Sequence, residues 1–408
     1  MTHVSKDLSM DRRRFLLQGA ALGCSLAASP LITPVALAAG PWDNRLVVIV
    51  LRGAMDGLDA IRPLGDPDYA GLRPTLNDGN GTAVTDFWAL HPGLAPLLPL
   101  WQAGEMGAVH AVSTPYRDGR SHFDGQDILE AGTLRIDGGK GGWLNRMLGV
   151  VPGMTAETAF AIGQDRMAIL SGPAKYLRWS PEVTLKLSPQ VRRLLEMTLH
   201  EDPLFRDAAL QAVAIADGLS VEAAAAAAMQ EDGGAQMAMA EARPGGESAL
   251  ARFAASRLRE ETRIASFSVN GWDTHLNQKG GLEKTLLRLS DTILTLRDEL
   301  GPVWDKTAVL CMTEFGRTAR ENGTRGTDHG TGGAMIYAGG ALRGGQVAGR
   351  WPGLSEQALF EGRDLMPTGD VRAAAGWIMR SLFGMDAGVI SQAVFPGLDL
   401  GAKPEFLL

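Results

Sequence analysis

The stretch RLVVIVLRGAMDG, residues 45–57, constrains the fold more than any other part of the chain. Leu46 to Leu51 are all apolar, Val47 to Val50 are β-branched, and glycine and aspartate follow at once. A strand with one wet face alternates apolar and polar residues; an unbroken apolar run belongs to a strand covered on both faces. MGAVHAVST (106–114), RIASFSVNGWDTH (263–275) and TAVLCMTEFGR (307–317) repeat the plan, each a short apolar strand with polar residues at its C-terminal end. Between them lie helical patterns, GLAPLLPLWQAG (93–104) and GLEKTLLRLSDTILTLRDELG (281–301). The second places Leu282, Leu286, Leu289, Ile293, Leu296 and Leu300 at three- and four-residue spacing, the stripe of a helix with one buried face. Strands alternating with helices predict an α/β fold, a parallel sheet flanked by helices. Ligands of such sheets bind beyond the carboxyl ends of the strands, where the polar residues cluster.

Residues 1–39 read as an export signal rather than as part of the fold. Arg12, Arg13 and Arg14 precede an apolar stretch that ends in the small-x-small triplet Ala36-Leu37-Ala38. Pro30 and Pro34 interrupt that stretch, and a membrane-spanning helix needs about 20 apolar residues. The run DRRRFLL resembles the twin-arginine signal, with Asp11 and Leu17 departing from its usual ends. The resemblance implies the twin-arginine export machinery as a partner, a folded cargo, and a periplasmic or extracellular destination. Ala21-Leu22-Gly23 ahead of Cys24 is an unfavourable order for lipidation, so soluble release is expected, with no integral membrane segment in the mature chain. Cleavage after Ala38 removes four positive and two negative charges and takes the net charge from −7 to −9. So acidic a chain is poorly suited to nucleic acid. Cys311 is then the one cysteine left, which excludes an internal disulfide.

The mature length exceeds that at which single cores stop growing, and one domain over residues 40–408 with an insertion is the economical reading. Residues 186–262 differ in texture, alanine-rich and helix-forming, and are read as a helical insertion or lid with a flexible piece near Asp232 to Gly246.

Four polar clusters follow the strands, Asp56 with Asp59, Arg120-Ser121-His122, Asp273 with His275, and Glu314 with Arg317, and Asp328-His329, ahead of the apolar GAMIYAGG, makes a fifth. Each alone has a bland explanation, since such residues cap helices and close turns. Together, carboxylates and imidazoles are what borderline divalent cations accept. A serine near them would be activated by the metal rather than by a histidine base.

The segments LRGAMDGLDAIRPLGDPDYAGLRPTL, LHPGLAPLLPLWQAGEMGAVHAV, RSHFDGQDILEAG, GGWLNRML, NGWDTHLNQ, TEFGRTARENGTRGTDHGTGGAMIYAGG and GGQVAGRWPGL resemble the exported bacterial family called domain of unknown function 1501 (DUF1501). That family resembles a branch of the alkaline phosphatase and sulfatase superfamily, which implies an alkaline-phosphatase-like parallel sheet and usually two metals. On that resemblance Asp56 matches a second-metal ligand, Ser121 the nucleophile, Asp273 and His275 first-metal ligands, and Asp328 and His329 the later metal-binding His-Gly motif. Glu314 falls where an Asp-His pair usually ends a strand, TEF in place of SDH, with Phe315 at the second-metal histidine. In the other alignment Asp328-His329 is itself that pair, and a later histidine is missing. Either way one familiar ligand is absent.

The implied function is an exported metal-dependent hydrolase of a small anionic ester, phosphate or sulfate. Ser121 attacks; Asp56, Asp273, His275, Glu314, Asp328 and His329 hold zinc, manganese or calcium; and Arg120 or Arg317 steadies the anion. SHFDG lacks the Cys/Ser-x-Pro-x-Arg motif of matured sulfatases, which favours phosphoesters. The alternative is an exported binding or assembly protein on a catalytically degenerate site. Redox chemistry is disfavoured, because no Gly-x-Gly-x-x-Gly follows the first strand and no cysteine cluster exists. His122 has two readings, a contact to a substrate oxygen or a structural helix-start residue, and is not among the expected site residues. His91, His110 and Trp272 read as packed residues.

Overall fold

The computed structural model of the protein describes residues 42–117, 119–135, 141–180 and 246–408. The export signal and residues 186–245 of the expected insertion lie outside the described residues.

The apolar run at 45–57 forms β1 (Arg45–Arg52), whose side chains divide between two cores. Leu46, Val48 and Val50 enter one and Val47, Ile49 and Leu51 the other, all at most 1% exposed. Full burial of each such side chain contributes about 1.5–3 kcal/mol, which is why the run is apolar throughout. Around β1 stand β2 (Met106–Ser113), β3 (Ala159–Ile162), β4 (Leu177–Trp179), β5 (Ile264–Asn270), β6 (Thr307–Thr313), β7 (Gly333–Ala338), β8 (Val347–Ala348) and β9 (Gly369–Asp370). They form one sheet in the order β8-β2-β7-β6-β1-β5-β3-β4, with β9 also paired to β2.

Every pairing is parallel except those of β7, which runs antiparallel to β2 and β6. The architecture is therefore the expected flanked sheet with one reversed strand. This reversal positions the site. The loop entering β7 sits at the same edge as the loops leaving β1, β5 and β6, so residues before β7 join residues after the others.

Five helices matter here: α1 (His122–Ala131), α2 (Trp143–Val150), α3 (Gly246–Leu258), α4 (Gln278–Leu300) and α5 (Val371–Phe383). α2 and α5 supply the core under Leu46, Val48 and Val50, and α3 and α4 the core on the opposite face. The six stripe residues of α4 are all buried, as their spacing predicts. The last part of the alanine-rich stretch is α3, whose Ala251, Phe253, Ala254, Ala255 and Leu258 pack in the core. Among the described residues no helix is long and apolar enough to cross a membrane.

Candidate metal centre

Four loops converge at the carboxyl edge of the sheet. Ser121 caps α1 by accepting from the Asp124 N–H at 3.5 Å, which fixes His122 as the first helical residue. Asp273 and His275 lie in the turn after β5 and Arg317 follows β6. His329 pairs with Arg317 across an isolated antiparallel bridge. Two glycines permit this closeness. A Cβ on Gly330 would stand 2.4 Å from the carbonyl of Arg317, and one on Gly53 (φ 119°) 2.6 Å from the backbone nitrogen of Asp273.

The Asp273 carboxylate is the meeting point. His275 Nε2 is 3.0 Å and His329 Nε2 3.3 Å from its Oδ1, and His122 Nε2 is 3.4 Å from its Oδ2. His275 Nε2 and His329 Nε2 are 2.9 Å apart. One donor atom each from His122, Asp273 and His329 fall within 4.8 Å of one another. Donors at ~2.0–2.1 Å from a tetrahedral zinc stand about 3.3 Å apart, close to the separations of the three imidazoles from Asp273; the group of mutually close donors holds His122, Asp273 and His329, without His275.

The outer nitrogens explain the inner ones. His329 Nδ1 is 2.7 Å from the Arg120 carbonyl, which only accepts, so Nδ1 carries the proton. His275 Nδ1 lies 3.2 Å from Asp328 Oδ1, again an acceptor. His122 Nδ1 lies 2.9 Å from Glu314 Oε1, and its Nε2 is buried without a hydrogen bond. Each imidazole is thus held from behind and turns Nε2 inward, the arrangement by which outer partners orient metal-binding histidines.

Electrostatics follow the same layering. Burial raises the Asp273 carboxyl, but Arg317, with Nη1 at 3.0 Å, and the surrounding imidazoles hold it below its ordinary value. Burial pulls His329 down. The Glu314 hydrogen bond lifts His122. Burial pulls Arg317 down as well, and its Nε has no partner.

Of the residues expected from sequence, Asp273, His275 and His329 come together, and His122 joins them. Asp328 and Glu314 stand one layer behind, each holding an imidazole rather than facing the centre. Arg120 contributes its carbonyl, while its guanidinium faces Asp364 at 3.2 Å and Glu361 at 3.4 Å. Arg317 braces Asp273. The hydroxyl of Ser121 caps the helix.

Asp56 is the clearest correction. Its carboxylate is buried and accepts from Arg73 at 2.6 and 3.1 Å, from Gln278 at 2.7 Å and from the Asp59 N–H at 3.2 Å. It is an ion-pair and helix-cap residue, its oxygens already occupied by donors. His110 and His91 are packed as expected. His110 stacks on Trp88 with ring centroids 5.0 Å apart, and His91 accepts from the Gly93 N–H at 3.0 Å. Trp272 is fully buried. The signal that could have found His122 is its place at a helix start beside a strand end, together with a partner carboxylate that only the fold reveals.

A crystal structure of a protein in the alkaline phosphatase superfamily from Vibrio parahaemolyticus is similar to the chain at 11% identity and a TM-score of 0.34, over 83% of this chain and 71% of that one. No curated protein matches. The family model described as "Protein of unknown function (DUF1501)" matches residues 130–375. That span is more than half of the 408 residues, and the chain belongs to the DUF1501 family.

Proposed function

We propose that the protein is an exported hydrolase of anionic esters, phosphate or sulfate, that works with one divalent metal held by His122, Asp273, His275 and His329. The observation that carries this reading is the 2.9 Å approach of two Nε2 atoms whose rings both have Nδ1 set against an acceptor. Two nitrogen lone pairs at that distance repel unless a positive charge lies between them, a shared proton or a metal ion. Imidazole and carboxylate donors suit zinc or manganese. Calcium takes six to eight oxygens, which this centre does not offer.

A divalent ion bound here supplies Lewis-acid chemistry, drawing charge from an ester oxygen. The chain's own residues do the rest. Ser121, adjacent to His122, is the proposed nucleophile; Arg317 keeps the Asp273 carboxylate ionised and in place; and Arg120 fixes His329 through its carbonyl. Export is supported by the Arg12–Arg14 run and the apolar stretch after it.

The commitment of Asp56 to Arg73 favours a second reading, a binding or assembly protein, because a clamp of two ions has lost one arm. Elemental analysis of chelator-free protein, beside a His122→Ala/His329→Ala variant, tests the centre. About one equivalent of zinc or manganese, absent from the variant, is expected; a folded metal-free wild type refutes it. Turnover of aryl phosphates or sulfates that Ser121→Ala abolishes then separates hydrolase from binding protein.

A further inference from the structure

We propose that Glu314 is a positioning residue of the metal centre, holding His122 as the Nδ1–H tautomer so that its Nε2 lone pair faces Asp273 and His329. The inference rests on the metal reading but is separable from it, because the tautomer is a property of the chain alone.

Glu314 is fully buried, and the Gly53 and Gln126 N–H groups beside its Oε1 can only donate. Oε1 accepts from the Gly53 N–H at 2.9 Å, His122 Nδ1 at 2.9 Å and Gln126 Nε2 at 3.2 Å, while Oε2 faces Thr313 Oγ1 at 3.0 Å. With two N–H groups already directed at it, Oε1 has no proton to give, so His122 Nδ1 donates to it. One residue therefore ties three parts of the fold together: the loop after β1, the end of β6, and the first turn of α1, where His122 and Gln126 stand four positions apart on one face.

The far side of the ring makes the case for a ligand. His122 Nε2 is buried and makes no hydrogen bond of normal geometry, with Asp273 Oδ2 3.4 Å away, a state that buried nitrogens rarely keep. Three anchors on Glu314 aim that bare nitrogen at the Asp273 carboxylate, 3.4 Å away. Gly53 strengthens the link, since the residue that donates to Glu314 also leaves no room for a Cβ against the Asp273 backbone. Asp328 plays the corresponding part behind His275 from a position half open to water, at 52% exposure, where solvent competes with it. Glu314 is therefore the stronger of the two supports.

The first measurement is the imidazole ¹⁵N spectrum of metal-free wild-type protein at a pH where His122 is neutral. The Nδ1–H form is expected; an Nε2–H form overturns the proposal. The second is a zinc competition titration of Glu314→Gln, His122→Gln and the double variant. Glu314→Gln should weaken zinc binding by about 10–100-fold in the wild-type background, the usual cost of losing an outer partner, and leave affinity unchanged in the His122→Gln background. Equal losses in both backgrounds overturn the positioning role and leave the metal reading standing. A wild type that binds no zinc or manganese removes both. Should Glu314→Gln fail to fold, the wild-type spectrum decides.

Discussion

Replacing Asp56 with asparagine separates a buried structural charge from a metal ligand. Asp56 is 1% exposed and its partner Arg73 is fully buried. Asparagine keeps the shape, and its oxygen can still accept the Asp59 N–H, so the cap survives. What is lost is the charge opposite Arg73, whose guanidinium then has only the Ala319 and Thr318 carbonyls at 2.7 and 2.8 Å and a neutral amide. Breaking a buried pair from one side costs about 3–5 kcal/mol, and the retained cap and carbonyls place this variant near the lower figure. Urea unfolding of metal-free protein should show that loss as a lower midpoint at unchanged slope, while metal content stays at the wild-type value. The pH dependence has a defined sign. Burial alone would raise the Asp56 carboxyl, but Arg73 and Gln278 hold it below the ordinary range. The stabilisation is thus complete above the unfolded carboxyl value and is lost as pH falls through the folded one. A variant of wild-type stability that has lost its metal would refute the reasoning and return Asp56 to the centre.

Burial depresses His110 to about 4, so its contribution to stability is complete above its unfolded value of 6.5 and declines as pH falls towards 4. The loss reaches about 3 kcal/mol, and His110→Gln should flatten that part of the pH–stability curve; an unchanged slope would show that His110 is not its source. Arg120→Ala leaves the carbonyl that holds His329 in place; its pair with Glu361 is exposed and worth little, and the buried Asp364 keeps Arg363 and the Thr331 hydroxyl as partners, so zinc affinity should stay within about twofold of wild type. A loss of tenfold or more by titration would assign the metal-supporting role to the side chain. Substituting lysine for Arg12, Arg13 and Arg14 should retain the precursor inside the cell, as read by fractionation; unchanged export would exclude the twin-arginine route.

The sheet and its main helix were legible because burial on both faces leaves a chain little choice of residue. Val47 to Val50 and the six stripe residues of α4 report their environment directly. The reversed strand was not legible. GAMIYA is equally apolar whichever way it runs, and only its pairing with β2 and β6 shows why His329 precedes a strand when Asp273 and His275 follow one. The site was legible by residue type but not by layer. A carboxylate that binds an ion and one that holds the histidine behind it are chemically identical in a sequence, so Glu314 and Asp328 look like ligands beside Asp273. His122 is not legible as a ligand for the matching reason, that an imidazole becomes a ligand only when something fixes its other nitrogen. Asp56 illustrates the same limit from the opposite side. The acid after β1 has the type and place of a ligand, yet Arg73, seventeen positions along, takes its oxygens first. What distinguishes a ligand from its supporter here is therefore which side of the residue the donors occupy. Asp56 and Glu314 are surrounded by donors, whereas Asp273 holds Arg317 on Oδ1 and has three Nε2 atoms gathered within 3.4 Å of its carboxylate, an arrangement that a cation completes.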